Sequence, residues 1–437
     1  MIPGIFWKAT IGMVILGVDS MAMAQPQMTL EDVYSRALMA NEQIMIAREG
    51  MALARDEKDK AFAVMLPSVV TEANYTRRPD AILSTSGNVI RPEEEDALEL
   101  RITQPLYTGG RAMATYSIAK DGIKESTEAL RAAQEDLLFN VATAYYNVLK
   151  AKKNQAIAQV EVERLERHLK ASQFRFNVGE VTKAIVLRAQ AELSRARADL
   201  VRSETELRTN RDQLALLAKL QEDFEVSDPP APSVPPGTEE ELIQQAYQKR
   251  PDLATSHIRE AIALKGIRFA RGGFFPTLSL EGIYSRLDQD PENPFFFVET
   301  DKRAALTLTF PLFEGGLRLA ELREARSKAR QAGLQRTLLE DRIEVEVKNA
   351  LRDLTAVGSV LENFKDQVAF AQENFTLVEK QFAFGLATNI DMLDANSLLH
   401  EAQRQLFNTT YDRDLAVLRV QKAVGLFLEG IRALEED

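Results

Sequence analysis

Two aspartates near the end of the sequence are the clearest candidates for residues that act on a ligand. Asp391 and Asp394 stand three residues apart in a stretch of helical composition, so both carboxylates project from one face of a helix. Paired carboxylates on one surface can attract cations. The same residues can instead be ordinary acidic side chains in the first turn of a helix, stabilised by its dipole. The spacing is compatible with both interpretations.

Catalytic and metal-binding chemistry finds little support in the rest of the sequence. The histidines, His168, His257 and His400, lack a second ligand-type residue at metal-site spacing, and each is expected to be a solvated residue of a polar helix. The absence of cysteine excludes disulfides, thiolate metal sites and a lipid-bearing cysteine. No nucleophile is paired with a base, and no glycine pair forms a phosphate-binding loop. We therefore expect no enzyme activity, no cofactor and no metal.

The first residues predict export from the cytoplasm. Lys8 precedes an apolar run from Ala9 to Val18, and residues 22–24 (AMA) suit signal peptidase, so residues 1–24 are interpreted as a signal peptide. The run is shorter than the ~20 apolar residues of a membrane-spanning helix, and every later stretch of that length contains charges. The net charge of -11 argues against a nucleic-acid-binding protein.

A tandem repeat is the most informative feature of the sequence. Residues 104–110 (QPLYTGG) return as residues 310–316 (FPLFEGG), an offset of 206. Upstream, Pro67 and Pro276 align at an offset of 209. A loop between these prolines and the first motif can absorb the three residues by which the two offsets differ. The offset of 206 also aligns, without a gap, Phe176 with Phe382, Gly179 with Gly385, Thr182 with Thr388, and Leu193 with Leu399.

The repeat divides the chain into five parts. After the signal peptide we expect a first repeat at 25–222, a proline-rich connector at 223–237, a second repeat at 238–428 and a C-terminal tail at 429–437. Each repeat is expected to hold a helix, a pair of strands and a long helical hairpin. The connector cannot be helical, because its prolines lack the backbone N–H and clash with a helical chain.

Two short segments in each repeat alternate between apolar and polar residues, which predicts strands with one apolar face. A soluble sheet and a membrane barrel both fit this pattern. The smallest membrane barrels have about eight strands, so a barrel would need several chains of four strands each. Residues 77–96 and 286–302, which include Phe295 to Phe297, are expected to be loops. In a barrel, these residues would face lipid: Leu98, Leu100, Ile102, Leu278, Leu280, Leu306, Leu308 and Phe310.

Two very long helices are predicted, from Arg111 to about Phe176 and from Leu317 to about Phe382, because both stretches lack proline. Each would span roughly 100 Å and must therefore pack on other long helices. In the return helix of the first hairpin, leucines recur every seven residues from Leu193 to Leu214, which is typical of a coiled coil. A glycine-containing turn joins the helices of each hairpin at what we call its tip.

Taken in order, these features resemble the TolC-like outer membrane efflux proteins. The resemblance rests on the Leu66-Pro67 strand, the motif at 104–110, the turn at 176–182 (FNVGEVT) and their repetition, and it covers nearly all of the mature chain. It implies a mostly α-helical homotrimer whose twelve strands form one β-barrel in the outer membrane of a Gram-negative bacterium. Twelve long helical elements would continue that barrel as an α-helical tunnel through the periplasm, with the connector in an equatorial belt.

The resemblance also assigns roles to residues. Asp391 and Asp394 match a family segment that places two aspartates at the periplasmic entrance, and three chains would supply six carboxylates there. A tyrosine and an arginine of one hairpin form a polar lock with an aspartate of the other hairpin in the best-known members. The matching positions are Phe382, Ala387 and Ile185, which cannot form that lock, so packing of Phe382 and Ile185 or a looser entrance is expected.

The tips are implied to contact a periplasmic adaptor protein that links the duct to an inner-membrane pump or ABC transporter. The implied function is export of drugs and other toxic small molecules. A duct for a type I protein secretion system and a soluble periplasmic coiled-coil scaffold are the alternatives. Glu180 occupies a position where the family commonly has an apolar residue. The implied contact residues are Val178, Gly179, Glu180, Val181, Phe384, Gly385, Leu386 and Ala387.

Overall fold

The computed structural model describes residues 27–221, 224–293, 298–429 and 431. The expected signal peptide and the phenylalanines at 295–297 lie outside these residues. In chain order the elements are β1 (Gln27–Met28), α1 (Leu30–Ala40), α2 (Glu42–Ala63), β2 (Ser68–Arg77), β3 (Ile82–Leu83), β4 (Val89–Arg91), β5 (Glu94–Thr108), α3 (Arg111–Asn177), α4 (Lys183–Ala218), β6 (Glu225–Val226), α5 (Glu239–Lys249), α6 (Pro251–Gly272), β7 (Thr277–Asp290), β8 (Thr300–Thr309), α7 (Leu317–Ala383) and α8 (Asn389–Val424).

Two helical hairpins dominate the molecule and confirm the predicted mostly helical fold. The helices α3 and α7 have 67 residues each, and α4 and α8 have 36 each. Both α7 and α8 begin 206 residues after their counterparts, so the spacing of the sequence repeat is kept in the structure. None of the helices in the described chain combines the length and the apolar character needed to cross a membrane.

Each hairpin is held together by an apolar seam. In α4, Leu193, Ala196 and Leu214 are buried, while Leu200 and Leu207 pack at the edge of the same clusters. These positions follow the seven-residue spacing seen in the sequence, which keeps them on the side of α4 that faces α3. Burial of this stripe stabilises a helix that is otherwise largely polar.

The four longest strands form one antiparallel sheet in the order β2-β5-β7-β8. Ile102 stands opposite Val69 and Gly282, and Leu280 stands opposite Leu306. Opposed residues lie on the same face of a sheet, so the register gives this sheet one apolar and one polar face. Seven of the expected lipid-facing residues share the apolar face: Leu98, Leu100, Ile102, Leu278, Leu280, Leu306 and Leu308.

The strands differ from the sequence-based expectation at their ends. β5 begins at Glu94 and β7 continues to Asp290, and β3 pairs with β4, so parts of the two expected loops are strand. Strands pair through backbone hydrogen bonds, so polar residues can also extend a strand. The hydrophobic pattern of the sequence does not show such extensions. Phe310 lies one residue beyond β8, where Pro311 lacks the N–H that would continue the ladder.

The sheet meets the helices where the chain passes from β5 into α3, beside the end of α6. Gly109 has φ +67°, and a Cβ added there would stand 2.2 Å from the carbonyl oxygen of Gly272. Gly315 is the equivalent residue of the second repeat, at φ +62°, and within the described chain nothing lies within 4 Å of its Cβ position. The first junction is therefore closely packed and the second is open.

The main core lies halfway along the hairpins, where the chain start and the connector wrap around α3. The Tyr145 hydroxyl lies 2.9 Å from the carbonyl oxygen of Met28 and 2.6 Å from that of Ser227. β1 pairs in parallel with β6, the only regular element in the described part of the connector. These contacts join the connector to the first repeat, and the hydroxyl of Tyr411 in α8 donates to Asp228 of the connector, so the connector forms a belt that links the two repeats.

Candidate functional site

Asp391 forms part of the cap at the start of α8. Its carboxylate accepts hydrogen bonds from the backbone N–H and the hydroxyl of Thr388, at 2.8 and 2.6 Å, and its own N–H donates to the Thr388 hydroxyl. The bonds from Thr388 hold the pKa of this carboxyl below its usual value. Asp391 is exposed, so it caps the helix while its negative charge faces solvent.

Asp394 lies one turn further along α8, where the second hairpin meets the first. It lines a cavity of about 170 Å³ together with Arg188 and Arg195 of α4 and with His400. Arg188 is the residue that the repeat places at the position of Asp394, so the equivalent sites of the two hairpins carry opposite charges. The carboxylate pair is therefore confined to the second hairpin.

Phe382 packs against the first hairpin instead of pairing with Ile185. Its ring lies 5.6 Å from the imidazole of His168 and 5.0 Å below the guanidinium of Arg175. Ile185 and Ala387 are half-buried, and Ile185 joins neither apolar cluster of this end of the described chain. Within one chain, the contacts between the hairpins at this end therefore involve Phe382 and not Ile185.

Two of the three histidines are not the solvated residues that the sequence suggested. His168 is 8% exposed, and its Nε2 lies 2.6 Å from Oδ1 of Asn389, the first residue of α8. Burial lowers the pKa of His168. His400 is half-buried and its pKa is also lowered by burial, whereas His257 is exposed. Leu165 lies three residues before His168, so both side chains face the buried side of α3. This spacing was a signal for burial that the sequence contained.

A polar network that the sequence did not reveal joins the hairpins below His168. Arg164 donates to Oδ1 of Asn396 at 2.6 Å, and Asn396 donates from Nδ2 to Glu161 at 2.5 Å. Burial raises the pKa of Glu161. The guanidinium of Arg164 also lies 4.9 Å above the ring of Phe375. Both hairpins are thus fastened side by side within one chain.

The two tips have the same backbone and different surfaces. Gly179 and Gly385 adopt φ of +82° and +74°, which ends each long helix. At the first tip, Arg175 donates from Nε to the Glu180 carboxylate at 3.0 Å. At the second tip, Phe384 and Leu386 are 82% and 80% exposed. The first tip therefore carries an ion pair beside the exposed Val178, and the second exposes two larger apolar side chains.

The caps of the return helices also differ between the tips. Thr388 caps α8 with its hydroxyl. Thr182 is the residue of the first repeat equivalent to Thr388, but its side chain makes no capping hydrogen bond. Position 185 is Ile where the second repeat has Asp391, so a reciprocal capping box cannot form there.

The chain matches the protein family described as "Outer membrane efflux protein" over residues 33–218 and 242–426, one match for each repeat. It is 25% identical to the outer membrane protein TolC of Vibrio cholerae, over 92% of this chain and 91% of that protein. It is 24% identical to the alkaline protease secretion protein AprF of Pseudomonas aeruginosa, over 97% of this chain and 89% of that protein. The Campylobacter jejuni CmeC outer membrane channel has the same fold, with a TM-score of 0.81 at 19% identity over 93% of this chain and 88% of that one.

Proposed function

Because the chain belongs to the outer membrane efflux protein family, we propose that three copies form one duct through the outer membrane and the periplasm. The protein is an outer-membrane export channel subunit of a Gram-negative bacterium. In the duct, each copy contributes four strands to one barrel and its two hairpins to one helical tunnel. We assign it no catalytic role.

The open sheet is the observation that carries this proposal. In the described chain, β2 and β8 are edge strands, and the sheet has one apolar face. Inside a bilayer an open edge leaves backbone N–H and C=O groups without partners, so membrane sheets close into barrels. Closing the edges between copies satisfies these groups, and twelve strands exceed the minimum of about eight. The apolar face would then contact lipid, and the polar face would line the lumen.

The second hairpins would bring Asp391 and Asp394 of each copy to the periplasmic entrance. Six carboxylates around one opening produce a focused negative field that concentrates cations. The Thr388 cap supports this role, because it keeps Asp391 ionised while the residue stays exposed. The contact of Phe382 with the first hairpin would set the width of the opening, with Ile185 and Ala387 beside it.

The tips are the surface that we propose for a periplasmic adaptor protein. The first tip, with Val178, Gly179, Glu180 and Val181, and the second tip, with Phe384, Gly385, Leu386 and Ala387, would engage different parts of the adaptor. An inner-membrane efflux pump or ABC transporter would supply the energy. We propose toxic small molecules as the cargo. The likeness to AprF over 97% of this chain favours secreted polypeptides as the second candidate.

Deletion of the gene is expected to make the host cells more susceptible to toxic small molecules, and re-expression of the chain is expected to restore growth. A rescue variant Thr307→Arg, on the polar face of β8, should still work. Leu306→Arg, its neighbour on the apolar face and closer to the middle of β8, should fail, because a charge facing lipid at mid-bilayer costs about 2–4 kcal/mol.

Each outcome of this experiment has a distinct meaning. Unchanged susceptibility together with loss of a secreted polypeptide would replace the small-molecule cargo by the second candidate. If neither phenotype changes, or if Leu306→Arg rescues growth as well as Thr307→Arg, the duct proposal is wrong.

A further inference from the structure

A compact group of side chains fastens the first hairpin to the second near their tips. His168 of α3 contacts Asn389 of α8 at 2.6 Å and packs on Phe382 of α7, whose ring also lies under Arg175 of α3. We call His168, Arg175, Phe382 and Asn389 the clasp. It lies at the end of the hairpins that carries Asp391, so its state affects the proposed entrance.

The clasp depends on an uncharged imidazole. With Asn389 Oδ1 as the acceptor, Nε2 of His168 carries the hydrogen, and the described chain provides no hydrogen bond for Nδ1. A second proton would therefore place a charge in a buried site with only one acceptor, which is unfavourable. Two further polar atoms, the Ser172 hydroxyl one turn along α3 and Nδ2 of Asn389, are buried without a hydrogen-bond partner within the described residues. The polar groups of the clasp thus form only some of the hydrogen bonds they could form. Few hydrogen bonds are therefore lost when the clasp opens.

Charged residues lie near His168 on the helices that pack around it. The pKa of His168 is lowered by burial and raised by the Asn389 hydrogen bond, without a contribution from a neighbouring charge. The charged residues close to it in sequence on the packed helices include Arg164, Glu166, Arg167, Lys170 and Arg175 on α3, Arg188 and Glu192 on α4, Glu379 and Lys380 on α7, and Asp391 and Asp394 on α8.

We propose that the clasp holds the entrance of the duct narrow and that protonation of His168 releases it. The proposal rests on the duct function proposed above. When the hairpins separate, the imidazole becomes hydrated and binds a proton at its ordinary pKa of about 6.5. The clasped state binds the proton less readily, so the clasp is intact at pH values above that range. It weakens as the pH falls below it.

The first test is the conductance of the purified full-length protein in planar lipid bilayers at about pH 7.5 and about pH 5.5, on either side of the histidine pKa. We expect the wild-type conductance to rise at the lower pH. His168→Asn keeps a donor for Asn389 and cannot take up a proton, so it should show low conductance at both pH values. His168→Ala should show high conductance at both, and His257→Asn, at an exposed site, should behave like the wild type.

A second measurement does not depend on conductance. The chain has no cysteine, so spin labels can be attached at Val178→Cys and Phe384→Cys, one on each tip. We expect the distance between the labels to increase on acidification in the wild-type background and to stay constant with His168→Asn. A variant that fails to fold can be replaced by His168→Gln, which also retains an amide donor.

The outcomes separate the clasp from the duct. The clasp is refuted if His168→Asn retains the acid-induced changes in conductance and distance, or if His168→Ala matches the wild type at about pH 7.5. If no variant conducts but the label distance still depends on pH through His168, the clasp stands and the duct function fails.

Discussion

Replacing both Asp391 and Asp394 by Asn is expected to lower the preference of the duct for cations over anions by on the order of tenfold, because a charged constriction concentrates counter-ions by that factor or more. The double change removes six negative charges from the proposed entrance of a trimer. Asn at position 391 still offers an oxygen to the Thr388 N–H, and Asp394 takes no part in the cap. The helix should therefore persist while the field is lost.

The measurement is the reversal potential of single channels in a salt gradient. Glu240→Gln, which removes one exposed carboxylate per chain from α5 in the belt, is the control and should leave the preference unchanged. The effect should shrink at high salt, since ions screen the field. If the double variant keeps the wild-type reversal potential, the two aspartates do not form the entrance ring.

Gly109→Ala is expected to prevent assembly of the folded protein. The new Cβ would stand 2.2 Å from the Gly272 carbonyl oxygen, a backbone atom that cannot move without separating α6 from the start of α3. The φ of +67° adds strain of about 1–2 kcal/mol for a residue with a side chain. Gly87→Ala, in the turn between β3 and β4, is the control, because it carries a similar strain at φ +79° without a neighbouring atom in the described chain.

Both glycine variants can be compared by the yield of folded protein extracted from outer membranes and by its thermal midpoint. Gly87→Ala should give folded protein with a slightly lower midpoint, and Gly109→Ala little or none. Equal yields of the two variants would show that the contact between Gly109 and Gly272 does not hold the junction.

The sequence predicted the periodic part of the structure well. The long helices, the seam of α4 and the apolar face of the sheet follow from regular spacing of residue types, which reports local geometry directly. The repeat added the strongest constraint, because α7 and α8 reproduce the lengths of α3 and α4. The strand ends were missed, since backbone pairing of β5 with β7 extends through polar residues such as Asp96 and Asp288.

The contacts between the hairpins could not be read in the same way. His168 and Asn389 are 221 positions apart and meet only because α3 packs beside α8. A histidine in a helix with many charges looks solvated unless the buried side of that helix is known. The close approach of Gly109 to Gly272 is equally non-local, although the glycine pair itself marked a turn.

The central claim, that copies of this chain close their sheets into one barrel, can be tested by cysteine cross-linking. Ile102 of the first repeat pairs with Gly282 of the second. The repeat offsets of 206 and 209 convert that pair into Leu308 of one copy and Ala73 of the next. Opposed residues of neighbouring strands have Cα atoms about 4.5–5.5 Å apart, within the range of a disulfide.

Oxidation of the Leu308→Cys and Ala73→Cys double variant in outer membranes should therefore give a covalent species of three chains. The chain has no cysteine of its own to interfere. Leu308→Cys with Glu72→Cys, whose side chain lies on the opposite face of β2, should cross-link poorly. A protein that remains monomeric with both pairs, or that cross-links better through position 72, would contradict the account.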